Sequence, residues 1–208
     1  MVGMSEPWEE DSNPWIVKSV TRTFENAWFV VDTHAVVHPH GAEGEYSVIR
    51  PRRHAVGVLP IDADGYVHMV GQWRFALGRY SWEMPEGGAE PGEPALDCAR
   101  RELEEETGLK AGRYIHMLEM DLSNSLSDET ATIYLALDLT PGEARPEPTE
   151  VLRRNRVPFA DVVEKVAAGY IRDAMTVAAV LRAHHMAVTG LLPAPLASAM
   201  LDHGQGGR

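Results

Sequence analysis

Gly87-Gly88-Ala89-Glu90-Pro91-Gly92 runs directly into Glu93-Pro94-Ala95-Leu96-Asp97-Cys98-Ala99-Arg100-Arg101-Glu102-Leu103-Glu104-Glu105-Glu106-Thr107-Gly108-Leu109. The first part is a glycine- and proline-rich loop, and the second reads as a helix of about four turns with Gly108 as its stop signal. Each helical residue advances about 100°, so Glu102 and Glu106 lie roughly 40° apart, with Glu105 roughly 60° to the other side of Glu102. Ala95, Ala99 and Leu103 form an apolar stripe beside them and turn that flank towards the body of the domain. Like charges one turn apart do not pair with each other. A solvated acidic face is one reading of the cluster. The other is a hard-cation site, because clustered oxygen ligands at the edge of a core suit Mg²⁺, which keeps some waters and bridges to substrate phosphates.

Gly87, five residues, Glu93, seven residues, then Arg101-Glu102-Leu103-Glu104-Glu105-Glu106-Thr107-Gly108-Leu109 resembles a complete Nudix box. The resemblance implies an α/β fold, a Nudix-type α/β/α sandwich with a mixed sheet. It also implies an enzyme that binds Mg²⁺ or Mn²⁺, two or more ions, and hydrolyses a diphosphate linked to another moiety. Carried over residue by residue, Glu102 and Glu106 would be direct ligands, Glu105 a ligand or a holder of metal-bound water, and the main-chain carbonyl of Glu86 a further ligand. Arg101 would hold the carboxylates in place, and Glu93 would orient the helix. The general base in the ADP-ribose pyrophosphatase-like branch can be a glutamate on a loop after the last core strand. Pro146-Glu147-Pro148-Thr149-Glu150 offers Glu147 and Glu150, the latter favoured because it lies nearer the next strand.

The stretch Arg79–Gly88 is similar to the one that precedes the box in nucleoside diphosphate sugar hydrolases, and Ser123–Glu129 resembles their downstream loop. Arg74, Arg79, Glu83, Ser125 and Glu129 are the resulting candidates for substrate contact, with Arg74 on phosphate. No proline occurs between Leu109 and Pro141, where specific ADP-ribose hydrolases usually carry one, so ADP-glucose and GDP-mannose stay open as substrates. The other readings are a hydrolase of nucleoside triphosphates or dinucleoside polyphosphates, and a non-catalytic ligand sensor. The intact box and the lack of an added basic segment speak against a sensor.

Outside this core, 208 residues allow one domain with a small appendage. The formal charge of −12 argues against a nucleic-acid partner, and no apolar run reaches membrane-spanning length. Cys98 is the only cysteine, so no intramolecular disulfide forms, and a buried, inert thiol is expected. A cytoplasmic enzyme is the expectation. Residues 1–14 read as a mobile tail. Residues 15–53 read as three short strands forming a small antiparallel subdomain, and residues 54–188 as the catalytic domain. Residues 189–208, rich in Gly, Pro and Ala, read as a flexible tail. A three-stranded sheet is too thin to bury Trp15, Val17, Phe29 and Val31 by itself, which predicts a homodimer through that subdomain, as the resemblance also implies.

Overall fold

The computed structural model describes residues 12–144 and 151–202. Its strands are β1 (Ile16–Glu25), β2 (Phe29–Val37), β3 (Glu43–Pro51), β4 (Ala55–Pro60), β5 (Tyr66–Arg74), β6 (Arg79–Glu83), β7 (Glu86–Gly88), β8 (Leu109–Asp121), β9 (Thr130–Pro141) and β10 (Arg153–Pro158). Its helices are α1 (Ala95–Thr107), α2 (Phe159–Ala167), α3 (Ala174–Val188) and α4 (Ala194–Leu201). The chain divides into two compact units, Met1–Arg52 with Ser123–Asp128, and Arg53–Leu122 with Glu129–Arg208.

The larger unit holds a mixed sheet in the order β7-β4-β9-β8, in which β4 and β9 run parallel, and an antiparallel sheet β10-β5-β6. Strand alternation sorts the side chains of β4 and β9 onto two covered faces. Val56, Val58 and Ala136 pack with Cys98, Ala99 and Leu103 of α1. Leu59, Ile133, Leu135 and Leu137 pack on the other side with Val162 of α2, Ala179, Val180 and Ala183 of α3 and Met200 of α4. Helices on both faces of a mixed sheet give the α/β/α sandwich expected from the sequence.

Helix ends follow local chemistry. α1 stops at Gly108, whose φ of 74° is left-handed and whose amide returns to Glu104 O at 2.8 Å. α3 is capped by Asp173, which accepts from the amide of Thr176 at 2.7 Å. Two stretches differ from the sequence reading. Gly87 and Gly88, read as loop, belong to the short strand Glu86–Gly88, paired with Ala55–Gly57. The tail expected to be flexible from residue 189 contains α4, with Ala197 and Met200 buried. Its proline content disguised it: Pro193 and Pro195 sit at the helix start, where a proline fits.

The smaller unit is the meander β1-β2-β3. Asp32, 8% exposed, accepts from Arg22 Nε and Arg50 Nε, both at 3.1 Å. β1 is exposed along its whole length, and Ile16, Val17, Val20 and Phe24 are at least half exposed.

Asp62 ties the β4–β5 turn to β10. It accepts from the amides of Asp64 at 3.0 Å and Tyr66 at 3.1 Å and from Arg156 Nε at 2.6 Å. Arg156 in turn lies 3.8 Å over the Tyr66 ring. Burial opposes the charged carboxylate, but Arg156, the Tyr66 amide and His68 outweigh it and hold the pKa below its usual value. A lowered folded pKa gives stability that is full above the unfolded value, near pH 4, and is lost as pH falls through the folded one. Asp62→Asn is therefore expected to lower unfolding free energy by about 1–3 kcal/mol at neutral pH. The gap to wild type should shrink between about pH 5 and about pH 3. Denaturant titrations across that range measure it, and a gap of constant size would contradict the assignment.

Candidate active site

Core packing of α1 places the acidic cluster. Cys98, Ala99 and Leu103 are fully buried, and Glu106 on the same side is drawn in with them to 1% exposure. The Glu106 side chain accepts the amide of Glu86 at 3.1 Å through Oε2, and Arg154 Nε donates to the main-chain carbonyl of Glu106. The last turn of α1 is thus fixed to β7 and to β10.

Arg101 organises the rest. Its Nε and Nη2 grip the two oxygens of Glu93 at 3.0 and 2.9 Å, and Nη2 also reaches Gly88 O at 3.3 Å. Its Nη1 donates to Glu102 at 2.6 Å and to Glu105 at 3.1 Å. One guanidinium therefore sets two carboxylates of the helix against the loop before it. The Arg101 hydrogen bond brings the Glu93 carboxyl down to about 2, despite some burial, and the same contact raises the pKa of Arg101. Burial pushes the neighbouring Cys98 thiol up to about 12, consistent with an inert side chain.

At Gly87 the approach is so close that a Cβ would overlap the Glu102 carboxylate. The glycine is needed for space: its φ is not positive.

On the other side of Glu86 lie Glu83 and Asp173, each offering an oxygen within 4.8 Å of the others. Arg74 grips Glu83 through Nε at 3.1 and 2.9 Å and through Nη2, and its Nη2 also reaches Glu86 Oε1 at 2.8 Å. Glu86 Oε2 is buried with no hydrogen-bond partner. Burial, with Asp173 and Glu83 alongside, pushes the Glu86 carboxyl well above the usual range. An all-oxygen donor set around an orphaned buried carboxylate oxygen is the environment a hard divalent cation satisfies. Glu102, Glu105 and Glu106, held by Arg101 and the Glu86 amide, are likewise oxygen donors, the ligand type that the cation implied by the box takes.

A family model described as the NUDIX domain matches residues 51–178. The chain belongs to the Nudix family. It is 33% identical over 152 residues to the ADP-ribose pyrophosphatase of Mycobacterium tuberculosis, covering 71% of this chain and 73% of that one. It is 31% identical over 144 residues to the ADP-ribose pyrophosphatase of Bacillus subtilis, covering 68% and 77%. It is 28% identical to the ADP compounds hydrolase NudE of Escherichia coli over 154 residues, covering 73% and 81%. The crystal structure of an ADP compounds hydrolase superposes with a TM-score of 0.78 at 21% identity, over 88% of this chain and all of that one, which supports the fold. The chain is thus a Nudix hydrolase acting on pyrophosphate bonds, in the ADP-ribose pyrophosphatase branch.

Within this Nudix chain, contacts link Arg101 to Glu102 and Glu105, and Glu86 to Glu106. Two partnerships differ from expectation. Glu83, expected to touch substrate, is 2% exposed and is gripped by Arg74. Arg74, expected to meet phosphate, is engaged by Glu83 and Glu86. Arg79 stands directly across the β5–β6 pair from Arg74. Ser125 belongs to the smaller unit, where its carbonyl accepts from the Tyr46 hydroxyl at 2.6 Å. Glu129 belongs to the larger one, where its carbonyl accepts the amide of Leu122 at 3.0 Å. Glu147 and Glu150 lie outside the described residues. Sequence reading missed Asp173 and Arg154 as neighbours of the site. The first was legible only as a helix cap, the second only as one of a basic run.

Proposed function

We propose that this Nudix hydrolase cleaves the diphosphate linkage of ADP-ribose and related nucleoside diphosphate sugars, releasing a nucleoside monophosphate and a sugar phosphate, with Mg²⁺ or Mn²⁺ as cofactor. The observation that carries this reading is the grip of Arg101 on Glu93, Glu102 and Glu105, with Glu106 buried beside them, in a chain similar to two ADP-ribose pyrophosphatases. Bound by Glu102, Glu105, Glu106 and the Glu86 carbonyl, two or more divalent cations would neutralise the diphosphate oxygens and acidify the attacking water.

The chain's own side chains do the positioning. Arg101 fixes where Glu102 and Glu105 point, and the Glu86 amide fixes Glu106. Arg74 is held by Glu83 and Glu86, and Arg79, opposite it across the β5–β6 pair, is proposed as the cationic group for the substrate's phosphates. Ser125 and Glu129 are proposed substrate contacts on the evidence of the sequence alone.

The box carboxylates are engaged by Arg101 and by the Glu86 amide, and a carboxylate so held is a poor base. We assign the base to Glu150, from the sequence. Glu150→Gln is expected to lower kcat by about 10²-fold or more with KM little changed, within the range for loss of a general base. Glu147→Gln should do much less. Near-wild-type kcat for both variants would leave Glu105, or metal-bound hydroxide alone, as the better account.

Assays of ADP-ribose, ADP-glucose, GDP-mannose and dGTP with Mg²⁺ test the substrate class. Preference for a sugar diphosphate supports the reading, and preference for dGTP overturns it. The exposed apolar residues of β1 support a homodimer through residues 15–53. Light scattering should give about twice the 23.0 kDa chain mass, and the chain mass itself would contradict a dimer.

A further inference from the structure

We propose that Glu83, Glu86 and Asp173 form an additional divalent-cation site, next to the box carboxylates but separate from them. It extends the box reading by giving Glu86 two tasks: its carbonyl serves the box, and its side chain serves this second position.

The main chain and side chain of Glu86 meet different partners. The amide donates to Glu106 on α1 at 3.1 Å. The carboxylate joins Glu83 at the end of β6 and Asp173 at the start of α3, with one oxygen from each inside a 4.8 Å span. Three carboxylates there face one guanidinium among the described residues, that of Arg74. Arg74 makes three contacts to Glu83 and a single one to Glu86, at Oε1. The group is withdrawn from water, with the Glu83 side chain 3% exposed and that of Glu86 14%. Water reaches the group only at its edge and screens the remaining negative charge little, and Glu86 Oε2 is a buried acceptor with nothing to accept from.

Asp173 is rigidly placed. Its Oδ2 caps the Thr176 amide at 2.7 Å, and the Thr176 hydroxyl accepts the amide of Met84 at 3.0 Å, which links the start of α3 to the segment between Glu83 and Glu86. With Oδ2 so used, Oδ1 is left for a ligand. Preplaced carboxylate oxygens on three different elements, with solvent to complete the shell, form a set suited to Mg²⁺ or Mn²⁺.

The test counts Mn²⁺ bound per chain by electron paramagnetic resonance in wild type, Asp173→Asn, Glu86→Gln and Glu106→Gln. Asparagine caps a helix as well as aspartate does, and glutamine at position 86 keeps the main-chain amide and carbonyl, so both variants preserve the surroundings. Thermal melts check that each is folded. Asp173→Asn and Glu86→Gln are each expected to bind about one ion fewer than wild type, and Glu106→Gln to keep that ion while losing box loading. If Asp173→Asn and Glu86→Gln both load like wild type, the inference is overturned and Glu86 holds a proton instead. The box reading then stands or falls on Glu106→Gln alone. A wild-type chain that binds no Mn²⁺ would overturn both.

Discussion

Glu106→Gln should lose more than about 10²-fold in kcat, beyond the usual cost of disturbing a residue that only orients a ligand. Glu106 is 1% exposed, and its Oε2 accepts the amide of Glu86. Glutamine has the same shape, and its carbonyl oxygen can take the same hydrogen bond, so the local structure should survive. The substitution removes the negative charge. In thermal melts, added Mg²⁺ should stabilise the variant less than it stabilises wild type. Turnover within about threefold of wild type would mean that Glu106 plays no part in the chemistry.

Gly87→Ala should separate activity from stability in a second way. A methyl group there would overlap the Glu102 carboxylate. That carboxylate is the far end of a flexible side chain, so the clash can be relieved by moving it rather than by moving the strand. The movement breaks its 2.6 Å contact with Arg101 and displaces a proposed ligand. Misplacement by about 1 Å can cost roughly 10²-fold in rate, and kcat is expected to fall by about that much. Paired measurements of kcat and of the melting temperature check this. A variant that keeps its activity would show that Glu102 need not stay where Arg101 holds it. Unfolding of the variant would show that the crowding at Gly87 cannot be relieved through Glu102.

Much of this site could be read from the sequence because its determinants are local. Helical periodicity places Glu102, Glu105 and Glu106 on one flank, Gly108 ends α1, and Arg101 lies within about one turn of Glu102 and Glu105. The long-range partners were not legible. Arg74 and Glu83 are nine positions apart on adjacent strands, and their pairing depends on the register of β5 against β6. Asp173 is 90 positions from Glu83 and reaches it through the packing of α3 on β4 and β9, to which no local pattern points. Glu86–Gly88 was hidden as a strand because its glycines suggest a loop, although the absence of side chains is what admits Glu102 and Arg53 so closely. α4 was hidden by composition: its prolines mark a helix start, but in a Gly- and Ala-rich stretch they read as disorder.

The most direct test of the whole account is phosphorus nuclear magnetic resonance of ADP-ribose incubated with the purified protein, first with Mg²⁺ and then with excess chelator. The account predicts that the diphosphate signals give way to two phosphomonoester signals, AMP and ribose 5-phosphate, and that the chelator stops the conversion. Persistence of the diphosphate signals with Mg²⁺ and with Mn²⁺, or conversion that continues undiminished in chelator, would contradict it.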